Sequence, residues 1–273
     1  MRQFILGNQK VKNGIIELGD KDFRYLRQVL RVKVGDMINV RMPDGVLENS
    51  TVAHIDDKGK KITLQLCASN TGAAVSYKSV TRGVQASQLN HIDNAEFWLF
   101  QFIPKPQKFE QIVRQATECG ISTIVPVIGE YTEKSSVLAL QGAKRERIEK
   151  IIREARQQSG SPVDTKVLAP MSLDEAVSLW GCGENNIGFV LSERDEGDNS
   201  VRSVIDKKKK ENIDILKVGI AVGSEGGLSP KEIEKLQKSV LFNTVHFAVN
   251  ILRCETAALY GIAAVQTAFY GKG

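Results

Sequence analysis

The chain has 273 residues, of which 42% are hydrophobic and 25% charged, the balance of a soluble globular protein with one large or two ordinary domains. That balance excludes a disordered or fibrous chain. No stretch has the length and apolar character of a membrane span, and the N-terminal MRQFILGNQKVK lacks the apolar core of a signal peptide, so we expect a cytoplasmic protein with no membrane partner.

The cysteines and histidines are too scattered for a metal site. The four cysteines form no Cys-x-x-Cys pair, and the three histidines do not cluster. We therefore predict no zinc site, no disulfide framework and no other metal. Cys254 adjoins Arg253, which is consistent with a reactive thiol, but a small buried apolar residue is the favoured interpretation.

Residues 1–70 have the pattern of a small all-β domain. Five short runs alternate or are continuously apolar, namely FILG, GIIEL, MINVRM, STVAHI and KITLQL, with turn residues between them. A small β-barrel is the simplest closure of such strands. The same residues hold 12 Lys or Arg against 8 Asp or Glu, so four of the five excess positive charges of the chain lie here.

One helix interrupts these strands. Asp20 is its predicted N-cap, and the spacing places a set of apolar residues inward: Phe23, Leu26, Val29 and Leu30. Three arginines are spaced to share one helix face: Arg24, Arg27 and Arg31. That face suits either RNA phosphates or plain solvent, and charge alone favours solvent.

Residues 71–94 differ in composition from both flanking regions. The stretch from residue 68 onward is polar and rich in Ser, Asn and Gly, which indicates a linker or surface extension. The run VTRGVQAS within it is consistent with one extra strand. The second predicted domain therefore covers residues 95–273.

Within residues 95–273, strand patterns alternate with helix patterns, which is typical of a parallel α/β sheet. The predicted strands are EFWLFQFI, STIVPVI, IGFVLS, KVGIAV and TVHFAV. One predicted helix ends at Gly120. A charged amphipathic helix follows with four residues inward: Ile148, Ile151, Ile152 and Ala155.

The turn GSEGG after KVGIAV contains Gly223, Gly226 and Gly227. Without Cβ atoms the backbone can adopt positive φ angles, and a ligand can lie directly against it. A tight connection without a ligand explains the glycines equally well. If a ligand binds, Glu225 and the absence of a following Lys-Ser or Lys-Thr favour a neutral or cationic ligand over a nucleotide phosphate.

A helix start follows the glycine turn. Ser229 is the predicted N-cap, Pro230 suits the first helical position, and Glu232 completes a capping box. The helix therefore begins directly after the turn, with its N-terminal amides facing it.

A second loop, NILRCETA at residues 250–257, follows the run TVHFAV and opens into a long helix. Arg253 and Glu255 are predicted to project from this turn, and Thr256 is available for hydrogen bonds there. Small residues share one helix face, namely Ala257, Gly261, Ala264 and Ala268. A bulkier row lies beside them, namely Ala258, Ile262, Val265 and Phe269. Another backbone could approach the small face closely.

These motifs resemble one family, the ribosomal RNA small subunit methyltransferase E family of the SPOUT superfamily. GSEGGLSPKEI and FAVNILRCETA match its two C-terminal motifs in order and spacing. QFIPKPQKFEQIVRQATECGISTIVPV and EARQQSG match its central segments. YLRQVLRVKVGD resembles a motif of its N-terminal PUA-like RNA-binding domain, with Tyr25 where the family usually has His and Arg31 as the matching arginine.

The resemblance implies a C-terminal trefoil-knot domain with a parallel sheet, an N-terminal PUA-like β-barrel and a homodimer. It also implies S-adenosylmethionine as cofactor and the small ribosomal subunit as partner. The implied cofactor-binding residues are Leu191, Gly223, Glu225, Gly226, Gly227, Ala248, Ile251, Leu252, Arg253 and Thr256. The implied RNA-binding residues are Arg24, Arg27, Arg31, Lys105 and Lys108.

The implied reaction is methylation of uridine N3 in 16S rRNA, at position 1498 in the family's standard rRNA numbering. The N3 proton must leave, so a base or a cation that stabilises the uridine anion is needed. Arg253 is the candidate cation. Glu255 either orients Arg253 or only caps its own helix, and Glu225 is the other candidate base.

The sequence departs from the family on the RNA side. Gly129-Glu130-Tyr131 replaces a Ser-Glu-Arg, no basic residue follows the QSG run until Lys166, and Ala248 and Asn250 replace a Gly and an Arg. Two alternatives therefore stay open: a non-catalytic RNA- or ribosome-binding protein of the same fold, and a SPOUT methyltransferase with another RNA target.

Overall fold

The structure is a computed structural model that describes residues 3–7, 11–67, 95–141, 144–193, 200–211 and 213–271. The chain divides into two compact units, Met1–Gly83 with Gln157–Gly160, and Val84–Arg156 with Ser161–Gly273. The predicted linker at 71–94, with its predicted strand, lies outside the described residues.

The first unit is built on a five-stranded sheet, and each of its predicted strands is confirmed. The strands are β1 (Gln3–Ile5), β2 (Ile15–Gly19), β3 (Met37–Arg41), β4 (Leu47–Asp56) and β5 (Lys61–Leu66). Their order is β1-β3-β4-β5-β2, with β1 and β3 parallel and the other pairs antiparallel. Alternate apolar side chains of these strands are buried in one core, including Phe4, Ile16, Leu18, Val40, Val52, Ile62 and Leu64.

The predicted helix of this unit is confirmed in place, but two of its details were wrong. Helix α1 (Asp20–Arg24) begins at Asp20 itself, with Gly19 as N-cap and no side-chain cap, and a π-helical turn (Tyr25–Val29) follows. A π turn contains more residues than an α turn and so rotates the later positions. Val29 is consequently 58% exposed instead of inward, whereas Leu26 is buried as predicted.

The second unit contains a parallel sheet, as predicted. Its strands are β6 (Glu96–Phe102), β7 (Thr123–Ile128), β8 (Lys166–Val167), β9 (Met171–Ser172), β10 (Asn186–Ser192), β11 (Lys217–Val222) and β12 (Asn243–His246). The order is β12-β10-β11-β6-β7-β8, and β9 also pairs with β7. Every recorded pairing in this sheet is parallel. The carboxyl ends of the strands therefore meet at one edge.

Two short strands of this sheet, β8 and β9, were not predicted. They pair with β7 on either side of Pro126. Proline has no N–H to donate, so the edge pairing is interrupted opposite it. A single longer strand cannot form there, and the sequence pattern of each fragment is too short to recognise.

Helices cover both faces of the sheet. They are α2 (Pro106–Glu118), α3 (Lys134–Leu138), α4 (Lys144–Ser159), α5 (Leu173–Trp180), α6 (Val201–Lys210), α7 (Pro230–Val240) and α8 (Cys254–Tyr270). One core joins α2, α4, α6 and α8 to the face of β6 that carries Leu99. The other joins α5 and α7 to the face that carries Phe100. The bulkier row predicted for α8 is buried, which fixes that helix against the sheet.

Within the described part of the chain, no helix combines the length and the apolar character that crossing a membrane requires.

Candidate functional site

The glycine turn lies at the carboxyl end of β11, which is the edge of a parallel sheet where ligands commonly bind. The Gly227 N–H donates to the Ser224 carbonyl at 3.0 Å, and Gly227 has φ +74°. A Cβ on Gly223 would lie 2.5 Å from the Gly227 carbonyl carbon. The turn therefore closes only because residue 223 is glycine.

The two other glycines differ in what lies beside them. A Cβ on Gly226 would lie 2.9 Å from Tyr131 Cβ and Cγ, so the backbone there packs against the tyrosine. A Cβ on Gly227 would meet no atom within 4 Å. The backbone at Gly227 is thus open on the side where a ligand could approach it.

The capping box predicted for the next helix is confirmed and has a second role. Ser229 Oγ accepts from the Glu232 N–H, and Glu232 Oε2 accepts from the Ser229 N–H at 2.7 Å. Glu232 Oε1 accepts from the Glu130 N–H, also at 2.7 Å. The buried Glu232 carboxylate therefore connects the residue that follows the glycine turn to the loop after β7. This connection holds the neighbouring Tyr131 in place.

Glu232→Ala should lower the free energy of unfolding by about 2 kcal/mol or more, because it removes a cap and leaves two backbone N–H groups without their acceptor. Urea unfolding measures this. Glu234→Ala, on the exposed side of the same helix, removes a residue whose ion pair within the described residues is with Lys238, and it should leave the free energy of unfolding nearly unchanged. Equal losses in the two variants would refute the special role of Glu232.

Sequence reasoning missed Gln101, a fully buried residue near the end of β6. Its Nε2 lies 3.0 Å from the Gly223 carbonyl oxygen and 3.3 Å from the Val222 carbonyl oxygen. The available signal was one polar residue inside the apolar strand EFWLFQFI.

The second loop lies after β12 and leads into α8. Among its predicted cofactor residues, Ala248 and Ile251 are exposed and Leu252 is half-buried. The Arg253 carbonyl accepts from the Ala257 N–H at 2.7 Å, so the backbone of Arg253 starts the helix. Within the described residues the exposed Arg253 side chain has no ion pair, which leaves the guanidinium available.

Leu191, at the end of β10, contacts α8 directly. A Cβ on Gly261 would lie 2.4 Å from Leu191 Cδ1, so the glycine makes room for the leucine side chain in its present conformation. Part of the predicted small-residue face is therefore used inside the subunit. Thr256 is exposed on the first turn of the same helix.

Lys108 links the two loops. Its Nζ lies 3.5 Å from Glu225 Oε1 and 3.5 Å from Glu255 Oε2. Glu225 Oε1 also accepts from the Lys105 N–H at 3.1 Å. The ammonium predicted to contact RNA is thus held between two carboxylates, while the Lys105 side chain is largely exposed and 3.9 Å from Glu133.

The electrostatics of this cluster fix its protonation states. Burial, the hydrogen bond to Glu255 and the nearby Glu225 charge raise the pKa of the Cys254 thiol to about 12, so the thiol stays protonated. Burial opposes ionisation of Glu255, but bonds from its own N–H, Cys254 and Lys108 outweigh it and lower its pKa. Cys254 is therefore an inert buried thiol, and Glu255 is a carboxylate at neutral pH.

The lowered pKa of Glu255 gives a prediction for stability against pH. Its carboxylate stabilises the fold above the unfolded-state pKa of about 4.3, and this contribution is lost as pH falls through the lower folded-state pKa. The difference in melting temperature between the wild type and Glu255→Gln should be largest at neutral pH and should shrink as the pH falls below about 4.3. A difference that is constant with pH would contradict the assignment.

The predicted arginine face of the first unit is not a single helix face. Arg31 lies beyond the helix with φ +57°, because the α-helix ends at Arg24 and the π turn ends at Val29. Arg27 pairs with Asp57 at 2.9 Å and also donates to the Val32 carbonyl. Arg24 and Arg31 are exposed, so these two side chains remain accessible.

No group of three or more His, Cys, Asp or Glu residues in the described ranges is arranged to hold a metal ion.

Comparison with known proteins gives consistent results. A family model described as RNA methyltransferase domain matches residues 92–266, more than half of the chain. Ribosomal RNA small subunit methyltransferase E of Rickettsia conorii is 26% identical over 264 residues, covering 96% of this chain and 93% of that protein. Ribosomal RNA small subunit methyltransferase E 2 of Borreliella burgdorferi is 26% identical over 273 residues, covering 96% of each.

A solved structure shows the same fold. The crystal structure of a Ribosomal RNA small subunit methyltransferase E from Neisseria gonorrhoeae, bound to S-adenosyl methionine, aligns with a TM-score of 0.70. The two chains are 22% identical, and the alignment covers 98% of this chain and 97% of that one.

Proposed function

The chain belongs to the RNA methyltransferase family, and from this premise we propose that it transfers the methyl group of S-adenosylmethionine to N3 of a uridine in 16S rRNA. The observation that supports the proposal most strongly is the open glycine turn at the carboxyl edge of the parallel sheet. Lys108 connects this turn to the loop of Arg253 through Glu225 and Glu255. The names of the curated relatives and the sequence motifs support the small-subunit substrate.

The residues at the turn fit this cofactor. Gly227 leaves its backbone open, and Gly223 lets the turn close behind it. Lys108, Glu225 and Glu255 together carry one net negative charge, which suits a cation better than a phosphate. When bound, S-adenosylmethionine supplies a methyl group on a cationic sulfonium. Backbone around residues 223–227 and 248–253, with Leu191 and Thr256, would hold it.

Arg253 is the proposed electrophilic group. Uridine N3 carries a proton at neutral pH, and losing it leaves negative charge on the ring carbonyl oxygens. The planar guanidinium can donate two parallel hydrogen bonds to such oxygens. The Arg253 backbone is fixed by the start of α8, so its exposed side chain extends from a rigid part of the main chain.

The two glutamates take different roles. Glu255 is held ionised by Lys108 and the Cys254 thiol, so it is a weak base, and we assign it to fixing Lys108. The Glu225 side chain is 32% exposed, against 12% for Glu255. Glu225 contacts Lys108 at the same distance, but it is the more accessible carboxylate, and on that ground it is the candidate that can receive the N3 proton.

The first unit is proposed to be the PUA-like RNA-binding barrel, with Arg24 and Arg31 as its accessible cations. Lys105 is the corresponding exposed cation of the second unit.

The family resemblance further supports a trefoil knot, a homodimer and a cytoplasmic location. Exposed apolar side chains near the second loop suit a subunit interface, namely Val249 at 45%, Ile251 at 81% and Tyr260 at 41% exposure.

The test is transfer of radiolabelled methyl groups to small ribosomal subunits from cells that lack the modification, with large subunits assayed in parallel. We expect label in 16S rRNA and none in large-subunit rRNA. Binding of S-adenosylmethionine without transfer would favour another RNA target. Absence of binding would favour the non-catalytic RNA-binding alternative and would refute the proposal.

A further inference from the structure

Gln101 occupies the point where the pairing between β6 and β11 ends. Gln101 is in register with Val222, the last residue of β11, and the glycine turn begins one residue later. The Gln101 Nε2 lies 2.9 Å from the Phe102 carbonyl oxygen, 3.3 Å from that of Val222 and 3.0 Å from that of Gly223. One side-chain amide therefore continues the hydrogen bonding past the end of the strands.

The other end of the same amide is unsatisfied. Gln101 is 0% exposed, and its Oε1 has no hydrogen-bond partner among the described residues. Leaving a buried acceptor unpaired destabilises the folded state. An apolar side chain of this size would avoid that cost but would deprive the three carbonyls of the two N–H donors that they share. The hydrogen-bond donor Nε2 is therefore what Gln101 contributes at this position.

The carbonyls that it binds determine how the chain leaves β11. If the Gly223 carbonyl turned, the peptide planes of the turn would turn with it. The closed Ser224–Gly227 turn and the open face of Gly227 both depend on that direction. Gln101 acts on the turn from behind, since it is buried and cannot itself touch a ligand.

We propose that Gln101 is a positioning residue that sets the glycine turn for cofactor binding. This inference rests on the proposed function, because it takes the turn as the S-adenosylmethionine site. It assigns no chemistry to Gln101.

The variant Gln101→Glu tests the positioning role of Gln101 through the pH dependence of S-adenosylmethionine binding. Burial and three facing carbonyl oxygens raise the pKa of the new carboxyl group, and only its protonated form can donate. The dissociation constant for S-adenosylmethionine, measured by calorimetry, should exceed the wild-type value by at least about tenfold at pH 8. That ratio should shrink toward pH 6. Gln101→Met, which never donates, should weaken binding at both pH values.

Gln115→Glu is the matched control. Gln115 lies on α2, and its Oε1 is likewise buried without a partner in the described ranges. This variant should bind S-adenosylmethionine like the wild type at both pH values, even if it unfolds at a lower temperature. All proteins are measured well below their melting temperatures, so that only folded protein contributes.

The binding measurements distinguish a failure of the Gln101 inference from a failure of the proposed function. If the wild type binds and both Gln101 variants bind within about threefold of it, Gln101 is only structural and the inference is wrong, while the proposed function stands. If the wild type does not bind S-adenosylmethionine, both the inference and the proposed function are overturned. Weakened binding in Gln101→Met together with a pH-dependent deficit in Gln101→Glu supports the inference.

Discussion

Gly223→Ala should abolish measurable binding of S-adenosylmethionine, with a dissociation constant at least about 100-fold above the wild type, or about 2.7 kcal/mol. The new Cβ would lie 2.5 Å from the carbonyl carbon, 2.7 Å from the carbonyl oxygen and 2.8 Å from the Cα of Gly227. These are backbone atoms, which cannot rotate away as a side chain would. The turn must open, and the backbone at Gly227 then loses its geometry.

The control for this prediction is Gly19→Ala at the end of β2. A Cβ there would lie 3.8 Å from the Lys60 carbonyl oxygen, an ordinary contact. Binding should be unchanged in this variant, as measured by calorimetry. Circular dichroism shows whether Gly223→Ala retains its fold. A folded Gly223→Ala that binds as tightly as the wild type would remove the glycine turn from the cofactor site.

Arg253→Met should lower the single-turnover methylation rate by about 10²–10³-fold, the effect of losing a donor to a developing oxyanion. Arg253→Lys keeps the charge but not the planar fork, so its rate should fall by a smaller factor, about tenfold or more. Affinity for S-adenosylmethionine should stay within about threefold, because the backbone of Arg253 starts α8 whatever its side chain.

Arg114→Lys is the comparison, since Arg114 is an exposed arginine of α2 whose described ion pair joins it to Glu154. Its methylation rate should equal that of the wild type. An Arg253→Lys enzyme that methylates at the wild-type rate would show that Arg253 is not the group that stabilises the uridine anion.

Local interactions explain what the sequence predicted well. The capping box of α7 joins residues three positions apart, and the buried row of α8 follows from helix spacing. Apart from β8 and β9, the strands of both units were recognised from apolar runs of ordinary length. Such features are determined within a few residues, so one sequence is enough to predict them.

Contacts between distant residues explain what the sequence did not reveal. Gln101 and Val222 are 121 positions apart, and nothing local indicates that the amide reaches that carbonyl. Lys108 meets Glu225 and Glu255 only because α2, the glycine turn and α8 converge at one sheet edge. Similarly, a π turn displaced Val29 and Arg31 from an α-helical spacing that the sequence otherwise fits.

The identity of the methylated nucleoside is the most direct test of the proposed reaction. 16S rRNA from subunits treated with the enzyme and S-adenosylmethionine would be digested to nucleosides and analysed by mass spectrometry against synthetic standards. We predict 3-methyluridine, formed by the wild type and strongly reduced with Arg253→Met. Methyl label in a 2′-O-methyl nucleoside or in another base, with no 3-methyluridine, would contradict it.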